Sequence, residues 1–194
     1  MKKNLFLFCI CFFCLISCQN KDEQHLFEQQ KDAKARALVF TTISNAWHFT
    51  IPSLSSNAQS ITQNWKELED FNFELRQTPK STIGAFQKKS KDLSRKVLAL
   101  NGTIPAPFNK PEVKSRIAAL ITKINSINLY LNIDAIPAKK IVVLVTDVNK
   151  EYASLYRQFD EIIRKSEIPK EEGESDMIRM LDPTRAIPDT PNKP

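Results

Sequence analysis

Two long apolar stripes constrain this chain more than any other feature. Val113, Ile117, Leu120, Ile124, Ile127 and Leu131 follow one another at alternating steps of four and three residues. Ile141, Val145, Val148, Tyr152, Leu155, Phe159 and Ile162 repeat the pattern. Steps of this kind line one side of an α-helix and make the seam of bundles and coiled coils. Ile121, Leu144 and Ile163 widen the stripes beyond a two-stranded seam, which predicts a bundle. Ile141 to Val145 alone would suit a buried strand, but a period that runs on to Ile162 is too long for one. Only the short link Asp134 to Ile136 separates the stripes, so the two helices are expected to pack antiparallel. Asn109 reads as the N-cap of the first, ahead of Lys110-Pro111-Glu112, and Pro137 falls where the second should begin.

The rest of the chain is punctuated by Ile-Pro pairs at Ile51, Ile104, Ile136, Ile168 and Ile187. Proline drives its predecessor out of the helical region, and a β-branched residue is comfortable when extended. These pairs therefore read as joints between helices. The equal 32-residue intervals from Ile104 to Ile168 carry unrelated side chains, so equal helix lengths explain them without an internal repeat. Glycines occur only at 84, 102 and 173, which starves the chain of hairpin turns and phosphate loops.

Ile83, Phe86, Ser90, Leu93, Val97 and Leu100 predict a further helix stopped at Asn101-Gly102. Ile61, Trp65, Leu68 and Leu75 predict another, ended by Thr78-Pro79. From about Asp22 to Phe49, the positions Leu26, Ala33, Ala37, Phe40, Ser44 and Trp47 suggest one more, weakened by the Thr41-Thr42-Ile43 run. The expected fold is all-α: an up-and-down helical bundle of about five helices with an irregular C-terminal tail. The bundle domain is expected over 26–166 and a Pro/acid-rich tail over 167–194, with one helical turn around Asp176 to Leu181.

The amino terminus carries an address. Lys2 and Lys3 precede an apolar stretch from Leu5 to Ile16, and then comes Leu15-Ile16-Ser17-Cys18. A basic start, a short apolar run and a small residue before the cut are the parts of a secretory signal peptide. The run is shorter than the 20 or so residues that span a bilayer. The four residues ending at Cys18 resemble a bacterial lipobox, departing from the family preference at Ile16. The resemblance implies a signal peptide over 1–17, removed before Cys18, and a cysteine acylated with a chain such as palmitate, followed by a tether over 18–25. Lys21-Asp22-Glu23 looks like the charged export signal of Bacteroidota surface lipoproteins; a plain solvated tether is the other reading. The localisation so implied is the outer membrane, lipid-anchored and at the cell surface, with the periplasmic face as the alternative.

Cleavage would leave 177 of the 194 residues, enough for one domain with a real core. It would remove Lys2 and Lys3 but no acid, lowering the formal charge from +6 to +4. That mild excess lacks the clustered basic stripe of a nucleic-acid binder. Cys9, Cys11 and Cys14 would leave with the signal, so no disulfide could form within the mature chain.

Residues fit for catalysis are sparse. His25 and His48 are the only histidines, with no nearby cysteine and no repeated acid spacing suited to a metal. His25-Leu26-Phe27-Glu28 is similar to the HxxE pattern of imelysin-like envelope proteins, but without the surrounding glycine signature. There are no paired Glu-x-x-His motifs, no Cys-x-x-Cys-His and no G-x-S-x-G elbow. Acid pairs such as Glu67 with Glu69, or Glu171 with Glu172, read as solvating faces. No catalytic residue, metal ligand or cofactor is assigned. Two surfaces stand out as binding candidates. Lys80, Lys88, Lys89, Lys91, Arg95 and Lys96 avoid the apolar stripe of their helix, giving either a solubilising face or contact with an anionic surface. In the tail, Ile178 and Leu181 sit three apart, as partner anchors or as a cluster folding back on the bundle. The functional expectation is a lipid-anchored binding or scaffolding subunit of an envelope complex, with an envelope enzyme or imelysin-like metal-uptake protein as the alternative. Partner and oligomeric state stay open.

Overall fold

The computed structural model describes residues 19–169 and 180–181, with side chains from residue 24 onward. Six α-helices follow one another there: α1 Gln19–Ala46, α2 Ser56–Thr62, α3 Lys66–Arg76, α4 Ile83–Leu100, α5 Pro111–Leu131 and α6 Ala138–Glu167. A 3-10 turn, Ala106–Phe108, joins α4 to α5. No strand occurs among the described residues, and the architecture is the all-α bundle that the stripes predict.

α5 and α6 form its centre. Every member of the Val113–Leu131 stripe is buried, and so is every member of the Ile141–Ile162 stripe. Lys123 Nζ lies 2.9 Å from Asp147 Oδ2, and Arg116 Nε donates to Ser154 Oγ at 3.1 Å. Seven residues back along α5 match seven residues forward along α6, so the pair is antiparallel. α5 starts one residue later than the capping pattern suggests. Lys110 holds the N-cap position with no side-chain bond, and Pro111 is the first helical residue. Asn109 instead closes the 3-10 turn. Pro111 tolerates the missing side-chain cap because it has no N–H to satisfy.

α4 lies antiparallel to α5 along a polar ladder. Gln87 Nε2 donates to Leu131 O at 2.8 Å, Ser90 Oγ to Asn128 Oδ1 at 3.0 Å, and Ser94 Oγ to Asn125 Oδ1. Such bonds at a helix interface fix its register. Thr82 caps the start of α4 by accepting from Ala85 N, and Gly102 N closes its end on Ala99 O at 3.3 Å.

The stretch expected as one helix through Ile61 and Leu75 is two. Ser55 N and Oγ donate to Asp160 Oδ1, and Asn57 Nδ2 donates to Glu167 Oε1 at 2.6 Å. α2 therefore climbs along α6 in the same direction. α3 then descends, with Trp65 edge-to-face against Phe159 and Phe71 against Tyr152. A reversal of direction requires a break, and it falls at Gln63–Trp65, where the Trp65 indole N–H donates to Thr103 Oγ1 at 2.9 Å.

α1 departs furthest from expectation. It begins at Gln19, within the expected tether, and continues through the Thr41-Thr42-Ile43 run to Ala46. Thr41 accommodates the helix by donating to Ala37 O at 2.9 Å. Residues 24–38 are all exposed, including Leu26, Ala33 and Ala37 of the supposed stripe. Only the last two turns and the residue after them dock: Ile43 and Trp47 are buried, with Val39 and Phe40 packed against the core. Phe40 and Trp47 both meet the edge of Phe86, at 5.7 and 5.1 Å between ring centroids. Buried aromatic surface at one end is enough to fix a helix whose remainder extends into solvent.

Candidate functional site: the amino-terminal stalk and the helix faces

At 1.5 Å per residue, the stretch from Gln19 to Leu38 is about 30 Å long. It makes a helical stalk, with Cys18 as the residue immediately before it. Cys18 and the signal-like segment before it lie outside the described residues, as do the side chains of Lys21, Asp22 and Glu23. In the stalk His25 Nδ1 lies 3.0 Å from Gln29 Nε2, so the nearest partner of this histidine is an amide. His48 instead lends its backbone carbonyl to Asn149 Nδ2 at 2.9 Å. Among the described residues, no group of three or more His, Cys, Asp or Glu side chains could hold a metal ion. No described helix is long and apolar enough to cross a membrane.

The basic face of α4 is smaller than its sequence suggests. Lys89 points inward: it is 8% exposed, with Nζ 2.7 Å from Glu74 Oε1 and 3.1 Å from Gln77 Oε1. Its long apolar stem fits between α3 and α4 while those oxygens satisfy the ammonium, which a periodicity argument based on charge alone misses. Lys96 is held 2.7 Å from Asp70, and its hydrogen bond is the main cause that keeps the Asp70 carboxyl below its ordinary range. Arg95 pairs with Asp92 on its own helix. Lys80, Lys88 and Lys91 are exposed and form no ion pair among the described residues. Of the expected face, these three cations are the ones left free to meet solvent or an anionic surface. In the tail, Leu181 is exposed, and its expected companion Ile178 lies outside the described residues.

Two features escaped the sequence reading. The first is a buried polar knot. Tyr152 O–H donates to Asn72 Oδ1, Asn72 Nδ2 donates to Tyr156 Oη at 3.0 Å, and the two phenol oxygens are 3.1 Å apart. Burial is the first cause that pushes the Tyr152 phenol well above its ordinary value, followed by the neighbouring Tyr156. A phenol so placed is a structural hydrogen-bond donor and a poor base. The second is a groove of about 590 Å³ over the last turns of α6, flanked by α2 and by Arg116 of α5. Arg157 and Arg164, seven residues apart, share its wall. That spacing was visible in the sequence, but Arg116 joins them only through tertiary structure.

Comparison with protein-family models, curated proteins and solved structures gives no match for this chain.

Proposed function

We propose that this protein is a lipid-anchored lipoprotein of a bacterial outer membrane, displayed at the cell surface, that serves an envelope complex as a binding or scaffolding subunit. The observation that carries the reading is the direct succession of Leu15-Ile16-Ser17-Cys18 and a long exposed helix. Acyl chains on Cys18 would hold the amino terminus at the membrane, since each buried methylene contributes about 0.8 kcal/mol. The stalk would then set the bundle about 30 Å from the anchor, a distance useful for meeting partners and of no use to chemistry at the bilayer. Interaction through helix faces is the mode of action consistent with the groove and with the open surface of the bundle.

The experiment is fractionation of cells producing wild type and Cys18→Ser. The wild type should sediment with outer membranes and be cut by protease added to intact cells. Cys18→Ser should be soluble or remain unprocessed. A Cys18→Ser protein that loses its signal and still fractionates with membranes would exclude acylation as the anchor. Protection from protease in intact cells, with membrane association kept, would move the protein to the periplasmic face.

A further inference from the structure

We propose that the groove over the C-terminal half of α6 is a binding site for a soluble phosphorylated ligand, held by Arg116, Arg157 and Arg164 with the amide of Gln158. This goes beyond the anchoring proposal: the groove stands on its own geometry, and only the choice of a soluble source rests on an anchor at Cys18.

Four observations converge on it. Ser154, Arg157, Gln158, Glu161 and Arg164 form one wall at steps of three and four along α6, so their side chains share a face. Arg116 completes the groove from α5, positioned by its bonds to Ser154 Oγ at 3.1 Å and to Glu112 O at 3.2 Å. Three guanidinium groups therefore line a single groove.

The acids of the groove do not pair with them. Asp160 accepts both bonds from Ser55, and Glu167 accepts from Asn57. Glu161 lies 2.7 Å from Lys165. The hydrogen bond from Lys165 is the largest cause that lowers the Glu161 carboxyl, with Arg164 and Arg116 adding smaller pulls. Both arginines are thus close enough to one carboxylate to act on it, yet neither bonds it. Arg157 and Arg164 are exposed and make no ion pair among the described residues.

Gln158 is the third observation. It is 6% exposed, lines the groove, and makes no side-chain hydrogen bond among the described residues. Its amide atoms nevertheless retain contact with solvent, since Trp47 Nε1 is the one described buried side-chain polar atom left without a partner. An amide set into a core wall that lines this groove, and also the neighbouring hollow beside Lys110 and Ser166, offers a donor and an acceptor to whatever lies there. Three guanidinium groups and three carboxylates line the groove, but the carboxylates are engaged by Ser55, Asn57 and Lys165, so the chemistry left to the guanidinium groups is that of an oxyanion. A tetrahedral phosphate can engage several guanidinium forks at once, whereas one fork already satisfies a planar carboxylate.

Position in the fold selects the source. α1 joins the bundle where His48 O meets Asn149, and Arg164 lies fifteen residues further along α6. That is about 22 Å up the helix, away from the stalk. Headgroups of the anchoring bilayer are on the wrong side, so the ligand is a soluble phosphorylated compound.

The test is calorimetric titration of the purified full chain in detergent with sodium pyrophosphate at fixed ionic strength. Wild type should bind saturably. Arg157→Ala/Arg164→Ala should weaken binding at least about tenfold, the loss of roughly one charge-assisted contact or more. Lys88→Ala/Lys91→Ala, on the face of α4, should bind like wild type. Arg164→Lys, which keeps the charge but loses the fork, should fall between. Helical circular dichroism and melting temperature should be unchanged in all of them, because each altered side chain is exposed. No saturable binding by wild type would overturn the proposal. So would equal binding by the double arginine variant, or flotation with anionic vesicles in the absence of pyrophosphate binding.

Discussion

Tyr152 is the residue whose environment says most about this core. Its hydroxyl is buried at the junction of α3 and α6, satisfied by Asn72 and facing Tyr156. Burial raises its proton affinity above that of an exposed phenol, whose ordinary value is 10.0. The native state therefore holds this proton more tightly than the unfolded chain does. The resulting stabilisation is fully present below pH 10 and is lost as pH rises from there toward the native value. Above about pH 10 wild type should accordingly lose stability more steeply than Tyr152→Phe. Urea unfolding at a series of pH values measures this, and parallel slopes for the two proteins would contradict the role given to burial. Neither this knot nor the inward turn of Lys89 could be read from sequence. A tyrosine in an apolar stripe and a lysine outside one look the same whether or not a partner waits across the interface. Asn72, Glu74 and Gln77 reach those positions only once α3 folds back on its neighbours.

At the level of elements, α1 separates helix formation from packing. Its sequence is rich in Gln, Lys, Glu and Ala, which favour helix without supplying a buried face. The apolar positions Leu26, Ala33 and Ala37 imitated a stripe because isolated matches to a helical period arise easily in a polar segment. The docked end carries the energetics: Phe40 and Trp47 pack against Phe86, and Ile43 is buried in the core. Ala35→Pro should therefore break the stalk and reduce helical circular dichroism while leaving the melting temperature of the bundle within a degree or so, as for surface changes remote from packing. Trp47→Ala should do the reverse, costing about 3–5 kcal/mol with little change in helix content before melting. A large fall in melting temperature for Ala35→Pro would mean that the stalk packs on the bundle in solution. The break between α2 and α3 makes the same point. Ile61, Trp65, Leu68 and Leu75 do fit one helical period, but α2 runs with α6 and α3 against it, and no periodicity encodes a change of direction.

For the whole molecule, the α5–α6 hairpin is the frame on which everything else is hung. It was the most legible part of the sequence, because both stripes are long, their period is unbroken and only one short link joins them. α2 runs along α6, α3 packs along α4 and reaches α6 through Phe71 and Asn72, the ladder of α4 bonds α5, and α1 docks its end on α6 and α4. The proposed anion groove exists because one polar face of α6 lies open between α2 and Arg116 of α5. That dependence fixes the last prediction. Leu155 and Ile124 are at most 1% exposed and lie on facing stripes of the hairpin, so Leu155→Ala and Ile124→Ala should each cost roughly 2–5 kcal/mol. Leu129, on the outer side of the same α5, is 60% exposed, and Leu129→Ala should stay within about 0.5 kcal/mol of wild type. Urea titrations of the three variants, followed by circular dichroism, separate these outcomes. Unfolding should remain a single transition, because no helix other than this pair contacts enough of the core to survive its loss. Similar midpoints for all three variants would mean that the hairpin does not form the core.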